Sequence, residues 1–252
     1  MNRGKISISD YFFIIFSQIF LVYFIIMSII YLTFVPFIVL ISLIAEGCGI
    51  DGSARRFTYI YSKFSMALFW PVLRISVAGR ELQPGGPVVY VVNHRSAVDA
   101  YLTAAYAHCH TIMFVRAWPF KIPFYGTIMR LNGYVNSEEM SFFEFVETKG
   151  KELVSRNVSM LIFPEGHRSP DNKLHRFHSG AFSLSCSLNI PVVPVCITGS
   201  ERCLSKQRPY LFPAKIHIEI LPPVFNDAFT GQFREYEMKK HVFNLMKNKL
   251  GE

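Results

Sequence analysis

A histidine followed five positions later by an aspartate, as in Asn93-His94-Arg95-Ser96-Ala97-Val98-Asp99, can make a base. Asp99 lies about one helical turn beyond His94, where a carboxylate can fold back to accept the ring Nδ1 proton. That fixes the tautomer and leaves Nε2 free to take a proton. A second polar turn reads Phe163-Pro164-Glu165-Gly166-His167-Arg168-Ser169. It joins a carboxylate, a glycine that permits close backbone approach, and a guanidinium whose planar fork suits phosphate. Its chemistry is anion capture, and its plainer alternative is a solvated connecting loop.

Both turns follow short runs, the β-branched 88–92 and the apolar-rich 158–163, the first preceded by the turn Pro84-Gly85-Gly86-Pro87. Further runs at 111–115, 192–197 and 215–221 alternate with helix-like stretches at 97–107, 141–156 and 181–188, and 232–249 has the spacing of a terminal helix. This alternation predicts an α/β fold with a mixed, mostly parallel sheet flanked by helices. In such sheets active sites collect at the C-terminal ends of strands, where both turns fall.

The N-terminal part has another texture. Residues 11–45 run for 35 positions without a formal charge, whereas one bilayer crossing needs about 20 apolar residues. The run is too long for one crossing and short for two, which leaves a tight hairpin, a re-entrant loop, or one helix with an interfacial piece. It also exceeds the apolar core of about 7–15 residues in a cleaved signal peptide. Pro36 removes a backbone donor and disfavours helix at Val35, placing a bend at 33–36. Basic residues flank the run, Arg3 and Lys5 before it and Arg55, Arg56 and Lys63 after it. That favours a hairpin with both ends on the cytoplasmic face of the cell inner membrane. Residues 57–77 are apolar-rich but carry Lys63 and Arg74 and are interrupted by Pro71, which suits an interfacial amphipathic helix. The expected organisation is a helical membrane anchor over 1–79 and a catalytic domain over 80–252.

Composition agrees with contact between chain and lipid: 51% of residues are apolar and only 17% charged, against about a quarter charged in soluble domains. The net charge of +8 suits an anionic surface or substrate, but no basic run interleaves with aromatics, which argues against nucleic acid. The five cysteines, Cys48, Cys109, Cys186, Cys196 and Cys203, are odd in number and contain no C-x-x-C pair. They indicate free thiols, with neither a disulfide framework nor a zinc site. His108-Cys109-His110 places its side chains on opposing sides of one element and is read as structural; no metal is expected.

Three segments in order, Asn93-His94-x-Ser96-x-x-Asp99, Phe163-Pro164-Glu165-Gly166-x-Arg168-Ser169 and Ile190-Pro191-Val192-Val193-Pro194-Val195, resemble the first, third and fourth motifs of the glycerolipid acyltransferases. With Phe177-His178-Ser179-Gly180-Ala181 between them, the resemblance covers about residues 79–221. It implies His94 and Asp99 as the catalytic pair and no bound cofactor. It also implies acyl-CoA or acyl-carrier protein as donor, a lysolipid as acceptor, and a place in phospholipid synthesis of the 1-acylglycerol-3-phosphate type. Arg116, Glu165, Gly166, Arg168 and Ser169 are then the substrate-binding candidates, and 190–195 packs the core beside an acyl tunnel.

Some positions depart from the pattern. The second motif supplies Arg116 in Phe114-Val115-Arg116-Ala117-Trp118-Pro119, but its closing part, Gly133-Tyr134-Val135-Asn136-Ser137-Glu138, lacks the usual arginine. His167 stands where Thr is usual and Arg95 where Gln is common. These changes bring a lyso-aminolipid into view as an alternative acceptor. His175 and His178, at helical i, i+3 spacing, are further candidates for the acceptor pocket or else surface residues. From another class, the alternative is a non-catalytic lipid-binding membrane protein. A serine hydrolase needs a nucleophile elbow of the G-x-S-x-G type, and the chain has none.

Overall fold

The computed structural model describes residues 8–46, 49–70, 72–122, 125–204 and 211–252, without the side chains at 8–10, 24, 28, 31, 32, 38, 42, 45 and 46. Arg3, Lys5, Cys48 and Pro71 therefore lie outside the described residues. Two helices come first, α1 (Ile8–Thr33) and α2 (Val35–Glu46), parted at Phe34 beside Pro36. Among the described residues no helix is long and apolar enough to cross a membrane. Both helices nevertheless leave large apolar side chains in the open, among them Phe12, Ile19, Phe37, Ile41 and Ile44.

The stretch 57–77, expected as one interfacial helix, is divided. α3 (Ile50–Phe69) begins earlier and ends before β1 (Leu73–Ala78), an edge strand paired in parallel with β7 (Ala214–Ile220) from Leu73↔Ala214 to Ala78↔Glu219. The sheet thus begins on the N-terminal side of the boundary drawn at residue 80. Strand pairing reaches across the whole chain here, so periodicity within 57–77 does not show it.

The sheet continues with β2 (Val89–Val92), and the chain then enters α4 (Thr103–Tyr106), β3 (Thr111–Val115), α5 (Ala117–Phe120), α6 (Tyr125–Leu131) and the two-residue β4 (Val135–Asn136). α7 (Phe142–Phe145) runs through a π-type stretch, Val146–Gly150, into α8 (Lys151–Ser155), followed by β5 (Ser159–Ile162). The last elements are α9 (Gly180–Leu188), β6 (Val192–Thr198), α10 (Ser200–Cys203), β7 and α11 (Arg234–Leu250). The seven strands lie in the order β1-β7-β6-β2-β5-β3-β4, and every pair is parallel except β6 with β7. This is the mixed, mostly parallel sheet that the alternation predicts.

β2, β5 and β6 are buried along nearly their whole length, because helices cover both faces. One face packs Val89, Val91, Met160 and Ile162 against α9 and α11. The other packs Tyr90, Val92, Leu161 and Val195 against the segment from Leu102 to Ala107 and the turn before β1. At the start of α9 the helix approaches so closely that a Cβ on Gly180 would sit 2.2 Å from the Phe142 ring. Because β2, β5, β3 and β4 are mutually parallel, their C-terminal ends share one edge of the sheet, which carries both polar turns.

Candidate active site

β2 delivers the first turn. Just past Val92, the Asn93 carboxamide donates to the Ile197 carbonyl at 2.8 Å and accepts the Ile197 N–H at 2.7 Å. It replaces a ladder step with β6 and holds the chain as it leaves the sheet. Ser96 then caps a 3-10 turn, Ala97–Ala100, that carries Asp99 back toward the strand end. One carboxylate oxygen, Asp99 Oδ2, accepts from Ser96 N–H at 2.7 Å, Arg95 N–H at 2.8 Å and His94 Nδ1 at 2.9 Å. Asp99 is fully buried, while the His94 side chain keeps 19% of its surface open. With Nδ1–H given to the carboxylate, Nε2 is the ring nitrogen left to accept a proton. The Phe163 ring stacks on the imidazole with centroids 4.3 Å apart and fixes its plane.

The second turn braces the first. Glu165 Oε1 accepts the His94 N–H at 2.9 Å, Glu165 Oε2 accepts the His175 N–H at 3.0 Å, and Ser169 N–H donates to the His94 carbonyl at 2.7 Å. Burial raises the Glu165 pKa, against the two N–H donors that lower it. Glu165 and Ser169, expected among the substrate-binding residues, direct their polar atoms at the chain itself; Ser169 Oγ donates to Asp171 at 3.1 Å. Sequence alone cannot show the bracing, since the groups that join the two turns are backbone N–H and carbonyl groups. Gly166 adopts φ +71°, which only glycine takes without strain, and a Cβ there would lie 3.4 Å from the His178 ring.

Arg168 is half-buried and makes no hydrogen bond or ion pair among the described residues. Arg116 is exposed at the C-terminal end of β3, two strands from β2 and so about 10 Å away across the sheet. The structure thus gathers His94, Asp99, Glu165, Gly166, Arg168 and Ser169 and leaves Arg116 apart.

Two cavities flank these turns. One, of about 430 Å³, is walled by Ile25 and Ile29 of α1, Phe57 of α3, Tyr101, Ala104 and Met113. Its wall includes Ala100 and Tyr101, the residues next after Asp99. The other, of about 410 Å³, is walled by Glu165, His167, His175, Arg176, His178 and Lys239. It gathers the two histidines noted at i, i+3 spacing, and Lys239 Nζ donates to Ser179 Oγ at 3.0 Å across it. Lys239 reaches the site from α11, 60 positions away, and no local signal marks it. Phe163 is visible in the motif, but its stacking role is not. Strand β6, expected beside an acyl tunnel, lies at the sheet centre between β2 and β7. His108 Nδ1 lies 3.4 Å from Ser159 Oγ, and Cys186, Cys196 and Cys203 are free thiols. Among the described residues no cluster of three or more potential ligands could hold a metal.

The Acyltransferase family matches residues 74–198. Among similar curated proteins, the 1-acyl-sn-glycerol-3-phosphate acyltransferase BAT2 of Brassica napus is 30% identical over 159 residues, 61% of this chain and 46% of that protein. The enzyme of the same activity name from Escherichia coli K12 is 25% identical over 171 residues, covering 66% of this chain and 68% of its own. The chain spans about half the length of several of the curated relatives it matches. A solved structure, the 1-acyl-sn-glycerophosphate acyltransferase PlsC from Thermotoga maritima, superposes with a TM-score of 0.76 at 22% identity, covering 95% of this chain and 96% of that one. That likeness shows the fold. Sheet order and the sequence match agree: residues 74–198 form an acyltransferase domain, similar to those of the 1-acyl-sn-glycerol-3-phosphate acyltransferases.

Proposed function

We propose that the protein transfers a fatty acyl group from an acyl thioester, acyl-CoA or acyl-carrier protein, to the free hydroxyl of a 1-acylglycerol-3-phosphate. The observation that carries this reading is the 2.9 Å contact of His94 Nδ1 with the buried Asp99 carboxylate, beside an apolar and a cationic cavity.

In the reaction, His94 Nε2 removes the proton of the acceptor hydroxyl as its oxygen attacks the thioester carbonyl. Asp99 stabilises the imidazolium that forms, the C–S bond breaks, and the imidazolium returns the proton to the departing thiolate. No covalent acyl-enzyme is required. The apolar cavity takes the acyl chain. The acceptor phosphate lies against Arg168 and the wall of His175, Arg176, His178 and Lys239, which offsets the arginine missing after Gly133. Glu165 and Gly166 set the shape of that pocket.

The exposed apolar side chains of α1 and α2 support a further part of the reading. Such a surface is costly in water and favourable in lipid, so both helices lie in the cytoplasmic leaflet of the inner membrane and the domain faces the cytoplasm. The missing arginine and nearby Glu138 favour a second reading, a lyso-aminolipid acceptor.

The purified protein, given acyl-CoA or acyl-carrier protein with a panel of lysolipids, is expected to release free thiol fastest with 1-acylglycerol-3-phosphate. A preference for a lyso-aminolipid selects the second reading. Equal lipid binding by the wild type and a His94→Ala/Asp99→Ala variant, with no turnover by either, establishes a non-catalytic lipid-binding protein.

A further inference from the structure

Resting on the acyl-transfer reading, we infer that Glu252 is a positioning residue that clasps the catalytic turn to the segment Leu174-His175 at the proposed acceptor pocket. α11 ends in a glycine cap: Gly251 adopts φ +73°, Gly251 N–H donates to the Asn248 carbonyl at 3.2 Å, and Glu252 N–H donates to the Lys247 carbonyl at 3.1 Å. This fixes the direction in which the Glu252 side chain leaves the helix. Its two carboxylate oxygens then reach two separate segments. Oε1 accepts from the Arg95 guanidinium, and Oε2 accepts the Leu174 N–H at 2.6 Å.

Each segment leads directly to a working group. Arg95 follows His94, and its own N–H is one of the three donors on Asp99. Leu174 precedes His175, whose N–H is bound by Glu165, the residue that also holds the His94 N–H. The clasp closes a ring of hydrogen bonds running Arg95, Glu252, Leu174, His175, Glu165 and His94. The Arg95 side chain is only 9% exposed and that of Glu252 18%, so water replaces little of what the pair supplies to each other. Among the described residues Glu252 is the guanidinium's one partner. Arg95 thereby links the catalytic turn to the end of α11. The distance between the base and the acceptor pocket is set from α11, the helix that also places Lys239 in that pocket.

The test uses the full chain with Glu252→Ala, Glu252→Gln, Arg95→Gln and the double variant Arg95→Gln/Glu252→Ala. The expected result in Glu252→Ala is faster hydrogen exchange at the Leu174 amide, kcat/KM for the acceptor lowered about tenfold even well below the melting range, and a melting temperature only a few degrees below wild type. Glu252→Gln keeps one acceptor oxygen and falls between, and the double variant loses less than the two single losses combined. Unchanged exchange at Leu174 with unchanged kinetics overturns the inference. So does a loss of activity that follows the melting temperature and is regained on cooling, which makes the role merely structural. A wild type that transfers no acyl group refutes the functional reading, while the exchange measurement still decides whether the clasp exists.

Discussion

Asp99→Asn separates the two duties of the buried carboxylate, holding the turn and supporting the base. Asp99 Oδ2 takes all three donors within 2.7–2.9 Å, whereas Oδ1 has no partner. An asparagine oxygen in the Oδ2 position still accepts the Arg95 and Ser96 N–H groups, and its NH2 takes the place of the unpartnered oxygen. What disappears is the charge. Converting charge-assisted bonds to neutral ones costs about 1 kcal/mol of stability, or about 2–4 °C in melting temperature for a chain of this size. The catalytic loss is larger, because the imidazolium formed in the transition state has no counter-charge. A fall in kcat of about 10²-fold is expected, equivalent to about 2.7 kcal/mol. Asp99→Ala instead leaves two buried N–H groups without an acceptor, at about 1–3 kcal/mol each, and melts distinctly lower. Thiol release and thermal melting on both variants decide the matter. An Asp99→Asn protein with kcat within about threefold of wild type, or one as unstable as Asp99→Ala, refutes the division of roles.

Three more outcomes follow from the same geometry. Glu165→Gln places an NH2 against one of two backbone N–H donors, at a cost of about 1–3 kcal/mol in denaturant unfolding, with kcat falling alongside. Ala104→Phe fills part of the apolar cavity and shifts donor preference toward shorter acyl chains, read by thiol release across a donor series. Burial raises the Asp51 pKa, but hydrogen bonds and charge from Arg156 and Arg55 outweigh it and hold the pKa at about 2. The depressed carboxyl stabilises the fold above its unfolded pKa, and that contribution is lost as pH falls from about 4 through about 2. In Asp51→Asn the wild-type advantage, about 1 kcal/mol after solvent screening, should vanish in acid unfolding curves below that window.

The central strands were legible because each is a short, mostly apolar run followed by turn residues, and burial on both faces imposes that composition on β2, β5 and β6. β1 was not, since its partner β7 lies 141 positions away (Leu73↔Ala214) and its apolar residues read equally well as a helix face. The two-residue β4 carries too little pattern to register. At the site, His94 and Asp99 were legible because their interaction is local. Glu165 and Ser169 were visible as polar residues in a turn, but their partners are backbone groups of another turn, so their bracing role was hidden. Lys239 and Glu252 enter through the packing of α11 and leave no mark near the motifs.

The most direct measurement of the central claim is product formation by His94→Ala. Purified wild type and variant, matched for folding by melting temperature, are given acyl-CoA and 1-acylglycerol-3-phosphate, and the diacyl product is followed by mass spectrometry. The general-base account predicts product from the wild type and a loss of about 10²-fold or more in the variant. Product formation by His94→Ala at the wild-type rate contradicts it.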